Sequence, residues 1–348
     1  MAARGKSRPP EAAGPESAPE PLALEEALGR EAGLDWSEAF GHLTVMGPEA
    51  VDWLNIRPEG LYVDCTLGGG GHSRLILRAL GSGGRLIALD RDPEPRRWAL
   101  EGWARGESRL TVVAGNFEML DEILAGLGQG GVDGILLDLG LSSRQLTGRG
   151  RGFSWTKDET LDMRLDPEGD LSAWEVVNRY PEKELADLIW RYGEERASRR
   201  LARAIVRARQ KKPLETTGEL AALAARCLYR PGPPPRIHPA TRTFMALRLE
   251  VNQELAGLEN FLRKAPGLLN PGGRVVAISF HSLEDRLVKE AFRSQDEKGR
   301  RLWQALHKKP QTPGPEEIRA NPRARSAKLR AAEIAPAEGQ PEASRLKA

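Results

Sequence analysis

The stretch Y-V-D-C-T-L-G-G-G-G-H-S at residues 62–73, followed by R-L-I-A-L-D at residues 85–90, decides the fold of this chain. An apolar strand runs into four consecutive glycines, a helix-like segment follows, and a second apolar strand ends on Asp90. Glycine lets the backbone approach a ligand closely because it carries no Cβ. A carboxylate after the second strand is placed to accept hydrogen bonds from a ribose diol. The pattern therefore predicts a site for a nucleoside-containing cofactor.

Short apolar segments alternate with helical ones from about residue 42 onward, which predicts a parallel sheet with helices on both faces. Residues 299–325, rich in proline and arginine, are predicted to be a loop. The predicted strands are 61–64, 85–89, 110–114, 133–139 and 273–280, with a final edge strand at 326–334.

The alternation stops between the fourth and fifth predicted strands, which indicates an inserted helical subdomain at residues 141–260. The sheet domain is then built from residues 41–140 and 261–335. Residues 1–40 form an N-terminal extension whose Pro-, Ala- and Glu-rich start is predicted to be disordered, as is the tail at residues 336–348.

Composition excludes several classes of protein. The chain is 40% hydrophobic and 29% charged, and none of its apolar runs approaches the roughly 20 residues of a membrane span. Two cysteines predict a reducing, cytoplasmic location and no disulfide scaffold. The cysteines and histidines lack metal-ligand spacing, so we expect no structural metal; whether a metal ion helps to hold the RNA stays open.

Charge is unevenly distributed although the net charge is only +3. Residues 196–212 hold eight Arg or Lys and no acid, in a pattern that places Leu201, Ile205 and Ala208 on one helix face. Residues 286–330 hold thirteen basic and five acidic residues. Such an excess favours a polyanion such as nucleic acid, with Arg199 and Arg203 as candidate contacts, although a solvated helix face gives the same pattern.

A glycine turn followed by an acid occurs in both NAD enzymes and S-adenosylmethionine methyltransferases. Ser73 stands where the last glycine of a dinucleotide motif would be, and Asp64 precedes the glycines. Gly115-Asn116-Phe117 follows the third predicted strand, and Asp138 follows the fourth, at the edge where such sheets bind ligands. These features favour S-adenosylmethionine and a class I, Rossmann-like α/β methyltransferase sheet.

Structural roles stay open for several of these residues. The glycines could serve only a tight turn, and Asp90 could cap the next helix. Phe117 could be plain core, and His72 could be a capping or solvated residue.

Many segments of the chain resemble one family, in that family's order over about residues 40–335. They include D-C-T-L-G-G-G-G-H-S, A-L-D-R-D-P, R-G-F-S-W, L-D-M-R-L-D, Y-G-E-E-R, H-P-A-T-R-T-F, I-S-F-H-S-L-E-D-R and N-P-R-A-R-S-A-K-L-R. The chain resembles the RsmH family, also called MraW, bacterial methyltransferases that make N(4)-methylcytidine in the decoding region of 16S rRNA. The resemblance implies 16S rRNA in the small ribosomal subunit as the partner.

The resemblance also implies a cofactor site, position by position. Trp155 departs from the family's usual phenylalanine, and Met245 stands where glutamine is typical. The implied cofactor residues are Gly70, Gly71, His72, Asp90, Phe117, Asp138 and Gln145.

The cytosine amine is a weak nucleophile because its lone pair is delocalised into the ring. An acceptor oxygen that hydrogen-bonds the amine would stabilise the positive charge that develops during methyl transfer. Asp138 could contact this amine or hold the cofactor's amino group, and the sequence leaves both roles open. The candidate catalytic residues are Asp138, Ser142 and His281; the rings available to stack on the base are Phe153, Trp155, Phe244 and Phe280.

The remaining polar candidates have two interpretations each. His238 could line the pocket and Arg242 could bind RNA phosphate, or both could pack the insert against the sheet. Ser282 with Asp285 could cap the helix after the fifth strand. Asp162 with Arg164 could form a structural ion pair as easily as touch substrate.

Three rival functions stay open at this point: a nicotinamide-dependent dehydrogenase, a non-catalytic RNA-binding or assembly factor, and a methyltransferase with a different nucleic-acid acceptor. The oligomeric state is also open, a dimer included.

Overall fold

The computed structural model describes residues 44–141, 145, 150–228 and 237–336 of the chain. Ser142, the expected extension at residues 1–40 and all but the first residue of the expected tail lie outside the described residues. The described residues belong to one compact unit, Gly41–Ala348.

One seven-stranded sheet organises the structure. Its strands are β1 (Leu61–Asp64), β2 (Arg85–Asp90), β3 (Leu110–Ala114), β4 (Val132–Asp138), β5 (Leu269–Ser279), β6 (Trp303–Ala305) and β7 (Lys328–Ile334). They lie in the order β3-β2-β1-β4-β5-β7-β6; β1 to β5 are parallel, and β7 is antiparallel to both of its neighbours. This arrangement confirms the predicted class I, Rossmann-like sheet. The strand order reverses between β1 and β4, and open α/β sheets bind ligands at such a point.

One strand prediction and one loop prediction were wrong. The strand near residues 326–334 is not an edge strand, because β6 lies outside it. The segment 299–325 is not only a loop, since it holds β6 and a short helix at Pro315–Ala320. A strand of three residues is too short to show alternation, and its partner β7 lies more than twenty residues further along the chain.

Helices cover both faces of the sheet and form the insert. They are α1 (Gly47–Leu54), α2 (Gly71–Ala79), α3 (Pro93–Glu101), α4 (Leu120–Gly126), α5 (Ala173–Arg179), α6 (Glu182–Gly193), α7 (Ser198–Arg209), α8 (Thr217–Leu228), α9 (Ala240–Val251), α10 (Glu254–Lys264), α11 (Ser282–Ala291) and α12 (Pro315–Ala320). Successive strand residues enter opposite cores: Ile135 and Leu137 pack with α4 and α10, whereas Leu136 packs with α1 and α2.

Helices α5 to α9 surround a further hydrophobic cluster whose members all lie between residues 141 and 251. Leu201 and Ile205 of α7 are fully buried in it, and Ala208 packs against it, on the face that the sequence predicts. Burying a leucine or isoleucine side chain contributes about 1.5–3 kcal/mol. The apolar face of α7 therefore holds the helix in place and directs its arginines outward.

None of the helices in the described ranges is long and apolar enough to cross a membrane.

Candidate active site

Three acidic residues end three adjacent strands at the switch point of the sheet. Asp64 ends β1, Asp90 ends β2 and Asp138 ends β4. Because β2, β1 and β4 are neighbours and parallel, these side chains meet at the carboxyl edge. The structure thus brings together the predicted cofactor turn and the predicted catalytic acid.

The glycine turn between β1 and α2 is shaped mainly by packing behind it. Gly70 has φ 73°, and a Cβ added there would overlap the indole ring of Trp103. A Cβ on Gly71 would overlap the hydroxyl of Thr44, whereas a Cβ on Gly69 would meet no atom within 4 Å in the part of the chain that the structure describes. The neighbouring side chains therefore require glycine at positions 70 and 71, whereas position 69 of the turn has room for a Cβ.

A cation–π layer supports this turn. The guanidinium carbon of Arg74 lies 4.9 Å from the centroid of the Trp103 ring, and its Nη2 donates to the Gly69 carbonyl at 2.9 Å. This support was not predicted from the sequence, since only the fold brings Trp103 back to the glycines.

Asp64 stabilises the turn from inside. It is fully buried and accepts hydrogen bonds from the Ser73 hydroxyl at 2.6 Å and from the Thr66 backbone N–H at 3.1 Å. The Thr66 hydroxyl in turn accepts from the backbone N–H of Asp138 at 2.7 Å. One buried carboxylate therefore links the end of β1 to the first turn of α2 and, through Thr66, to β4.

Asp90 is held by backbone donors and keeps lone pairs available. Its Oδ2 accepts from the Gly68 N–H at 3.0 Å and its Oδ1 from the Asp92 N–H at 2.9 Å. Asp92, not Asp90, caps α3 by accepting from the Glu94 N–H. Each carboxylate oxygen can accept a second hydrogen bond, so a ribose diol fits against Asp90.

Burial raises the pKa of Asp90 to about 6, although the backbone N–H groups of Asp92 and Gly68 oppose the rise. Protonation removes acceptor capacity, so we expect cofactor affinity to fall as pH drops through about 6. The sign for folding is opposite: the raised pKa means that the folded state binds this proton more tightly, and this contribution to stability is lost as pH rises from about 4 to about 6. Calorimetric titration of cofactor between pH 5 and 7.5 tests the binding trend, and an Asp90→Asn variant should lose the part of the trend due to Asp90.

His72 is buried between two partners. Its Nε2 lies 3.1 Å from the Val45 carbonyl, which can only accept, so Nε2 carries a proton. Its Nδ1 faces Oδ2 of Asp138 at 3.6 Å. At 5% exposure, and with Gly70 as the N-cap residue of α2, His72 is neither solvated nor a cap. The structure thus places His72 beside Asp138, within the predicted site.

Asp138 carries an unsatisfied acceptor. Its Oδ1 is buried and has no hydrogen-bond partner among the described residues. Burial raises the pKa of Asp138 to about 6; the nearby His72 opposes this rise, and the negative charges of Asp64 and Glu284 add to it. A buried oxygen without a donor is costly, so this oxygen is a candidate acceptor for a donor group of a ligand.

A second unsatisfied acceptor lies beyond β3. Oδ1 of Asn116 is buried and has no described partner. Phe117 packs edge-to-face on Phe261 with centroids 5.8 Å apart and is 7% exposed, so it is part of the hydrophobic core.

An S-adenosylmethionine molecule offers an amino group, ribose hydroxyls and an adenine amine as donors. Asp90 and Asn116 match the ribose hydroxyls and the adenine amine, and Asp138 fits either the amino group of the cofactor or an amine of the substrate.

Gln145 contacts the protein near the cofactor edge. It is buried, and its Nε2 donates to Oδ2 of Asp92 at 3.0 Å. Arg151 donates to the same oxygen at 2.6 Å and to the carbonyls of Arg164 and Leu165 at 3.0 Å each. Asp92 is 1% exposed, and these hydrogen bonds connect the start of the insert to α3, the helix after β2. Arg151 was not predicted from the sequence, because it is 59 residues from this partner.

His281 follows β5 and begins α11. It forms a capping box with Glu284, which also accepts from the Phe280 N–H at 2.9 Å. Burial alone would raise the pKa of Glu284. The adjacent His281 nevertheless holds this pKa below its usual value. The predicted cap by Ser282 and Asp285 was wrong: Asp285 instead accepts from Arg330 at 2.7 Å and from Lys328 at 3.0 Å.

The aromatic candidates separate into core and accessible rings. Phe153 and Phe244 are 7% and 4% exposed and belong to the hydrophobic core of the insert, so they do not present a face to a base. Trp155 stacks on His238 with centroids 3.9 Å apart and planes 13° apart, and both are half-buried. Phe280 is half-buried beside Gly140.

The charged candidates of the insert differ in how they are held. Asp162 and Arg164 form a bidentate pair, with Nε and Nη2 at 2.9 and 2.8 Å from the two carboxylate oxygens. Arg242 contacts the C-terminal end of α6, where it donates to the Glu194 carbonyl at 3.2 Å. Arg199 and Arg203 are exposed on α7, and Arg203 lies 3.5 Å from Glu182.

Residues 39–335 match the model of the MraW methylase family. The chain belongs to this family. It is 48% identical over 316 residues to the ribosomal RNA small subunit methyltransferase H of Brevibacillus brevis, covering 85% of this chain and 98% of the relative. It is 49% identical over 302 residues to the protein of the same name from Acidobacterium capsulatum, covering 84% and 98%. The expected cofactor, S-adenosylmethionine, is the methyl donor of this methylase family.

Proposed function

We propose that this protein methylates the exocyclic N(4) amine of a cytidine in the decoding region of 16S rRNA, within the small ribosomal subunit in the cytoplasm. The observation that carries the proposal is the buried, unpaired Oδ1 of Asp138 at the switch point of a methylase-family sheet. An Asp side chain is a suitable acceptor for the cytosine N4 amine. The names of the relatives support ribosomal RNA of the small subunit as substrate.

For this reaction the protein must align a weak amine nucleophile and accept the proton that the amine loses. When bound, the cofactor supplies an electrophilic methyl group on a positively charged sulfur. Oδ1 of Asp138 accepts a hydrogen bond from the amine and stabilises the positive charge that develops on nitrogen. A carboxyl group with a pKa of about 6 can then take the departing proton, and Nδ1 of His72 lies beside the other oxygen.

The base needs a flat surface outside the RNA helix. We propose that Trp155 and His238 form this platform, because their parallel rings are already stacked and half-buried. Stacking a base on an aromatic ring contributes about 1–3 kcal/mol, which offsets much of the few kcal/mol that extrusion costs. The hydroxyl of Ser142, predicted to assist catalysis, stays a prediction.

The exposed arginines of α7 are proposed to bind RNA phosphates. We expect the double variant Arg199→Ala/Arg203→Ala to weaken RNA binding and to lower the slope of log K against log salt concentration by about one for each phosphate that α7 no longer neutralises. The matched control is Arg105→Ala/Arg263→Ala, two exposed arginines that precede β3 and β5 at the opposite edge of the sheet. Equal salt slopes in the two variants would make α7 an ordinary solvated face.

Labelled S-adenosylmethionine tests the substrate class. Purified protein is incubated with small subunits from cells that lack this activity, with naked 16S rRNA and with DNA. We expect label in the subunits. Label only in DNA would favour a different acceptor, and bound cofactor without any transfer would favour a non-catalytic RNA-binding or assembly role.

A further inference from the structure

The C-terminal end of α6 joins three separate parts of the protein through one residue. Glu194 follows α6 with φ 47°, a left-handed conformation that is unusual for a residue with a side chain. Its Oε2 accepts from the Ser282 hydroxyl at 2.8 Å, and its Oε1 lies 3.7 Å from Nη2 of Arg286. Its backbone carbonyl accepts from Arg242.

These contacts connect the insert to the carboxyl edge of the sheet. Ser282 is the first residue of α11, three residues after the end of β5, and Arg242 lies in the first turn of α9, four residues after His238. The neighbouring Gly193 is buried, and a Cβ there would lie 2.8 Å from the Arg242 carbonyl oxygen, so α6 and α9 meet backbone to backbone. Glu194 therefore links α9, the helix that follows His238, to α11, the helix that follows β5.

The ion pair between Glu194 and Arg286 contributes little to stability. The side chains of Glu194 and Arg286 are 46% and 55% exposed, and ion pairs between exposed groups stabilise a fold little. A left-handed residue with a Cβ is itself unfavourable. The left-handed conformation ends α6, where the Glu194 backbone N–H donates to the Ile189 carbonyl. This helix cap does not require the side-chain contacts with Ser282 and Arg286.

We propose that Glu194 is a positioning residue that fixes the distance between the Trp155–His238 platform and Asp138. This inference rests on the proposed function. Methyl transfer is an in-line displacement, so a small displacement of the base lowers the rate without weakening binding.

The expected result for Glu194→Gly is a fall in kcat of about 10- to 100-fold, because misplacement of reacting groups by about 1 Å has effects of this size. The dissociation constants of cofactor and RNA should stay within about twofold, and the melting temperature should hold or rise because glycine relieves the left-handed conformation. Glu194→Gln should retain most activity, since its amide oxygen still accepts from Ser282. The control Asp187→Ala, an exposed acid of α6 paired with Lys183, should behave as wild type.

A double-mutant cycle adds a sharper test. Ser282→Ala should lower kcat in wild-type protein and have little further effect in Glu194→Gly, because both changes remove the same hydrogen bond. Effects that multiply in full, or unchanged turnover by Glu194→Gly, would overturn the inference. Wild-type protein that methylates no RNA would instead contradict the proposed function.

A distance measurement tests the positioning without relying on activity. Spin labels at Ala222→Cys in α8 and Glu290→Cys in α11, both exposed, report the separation of insert and sheet in a Cys227→Ser background. The distribution should broaden or shift in Glu194→Gly and not in Asp187→Ala. An unchanged distribution in Glu194→Gly would contradict the inference.

Discussion

Replacing Asp138 by alanine is expected to lower kcat for RNA methylation by about 10²- to 10³-fold, the usual effect of removing one preorganised electrostatic group at a reacting centre. The substitution deletes the buried Oδ1 that lacks a partner and the Oδ2 that faces His72. Single-turnover kinetics with saturating cofactor measure the decrease in rate. A rate within threefold of wild type would remove Asp138 from the chemistry.

The same variant separates the two roles that the sequence leaves open for Asp138. If the carboxylate accepts a hydrogen bond from the target amine, kcat falls and the dissociation constant of the cofactor stays unchanged. If the carboxylate accepts a hydrogen bond from the cofactor's amino group, the dissociation constant of the cofactor rises as well. Asp138→Asn is the control for shape: it keeps the volume and one acceptor oxygen, so it should fold as wild type and lose activity through the missing charge.

Replacing Gly70 by alanine is expected to abolish cofactor binding and to destabilise the fold by about 2–4 kcal/mol. Two effects add: an L-residue at φ 73° is unfavourable by about 1–2 kcal/mol, and the new Cβ would overlap the Trp103 ring, which Arg74 holds from one face. Thermal unfolding and equilibrium cofactor binding measure the two consequences.

Gly69→Ala is the matched control, one residue away in the same turn. A Cβ at Gly69 meets none of the described residues within 4 Å, and we expect the stability of Gly69→Ala to be unchanged within about 0.5 kcal/mol. Weaker cofactor binding without a decrease in stability would place Gly69 against the ligand. Equal destabilisation by both substitutions would contradict the packing explanation of the turn.

The sheet was predictable from sequence because its five parallel strands are apolar and separated by helical segments. Their carboxyl ends carry Asp64, Asp90 and Asp138, so topology alone brings these acids together. The family resemblance added His72 and Gln145 to the predicted site, and the periodicity of the sequence alone would not have identified them.

The missing parts depend on contacts between distant residues. Trp103 behind the glycines and Arg151 on Asp92 are visible only once the chain is folded. Phe153 and Trp155 are two residues apart in the sequence, yet one enters the core and the other stacks on His238. The cap of α11 begins one residue earlier than predicted because Glu284, and not Asp285, turns back to the backbone.

Nucleoside mass spectrometry of small subunits, methylated by the wild-type protein and by Asp138→Ala, tests the central claim most directly. We expect N(4)-methylcytidine in 16S rRNA with the wild-type protein and little or none with the variant. A product methylated at a ring carbon or a ribose hydroxyl, or an equal yield of N(4)-methylcytidine from both proteins, would contradict the claim.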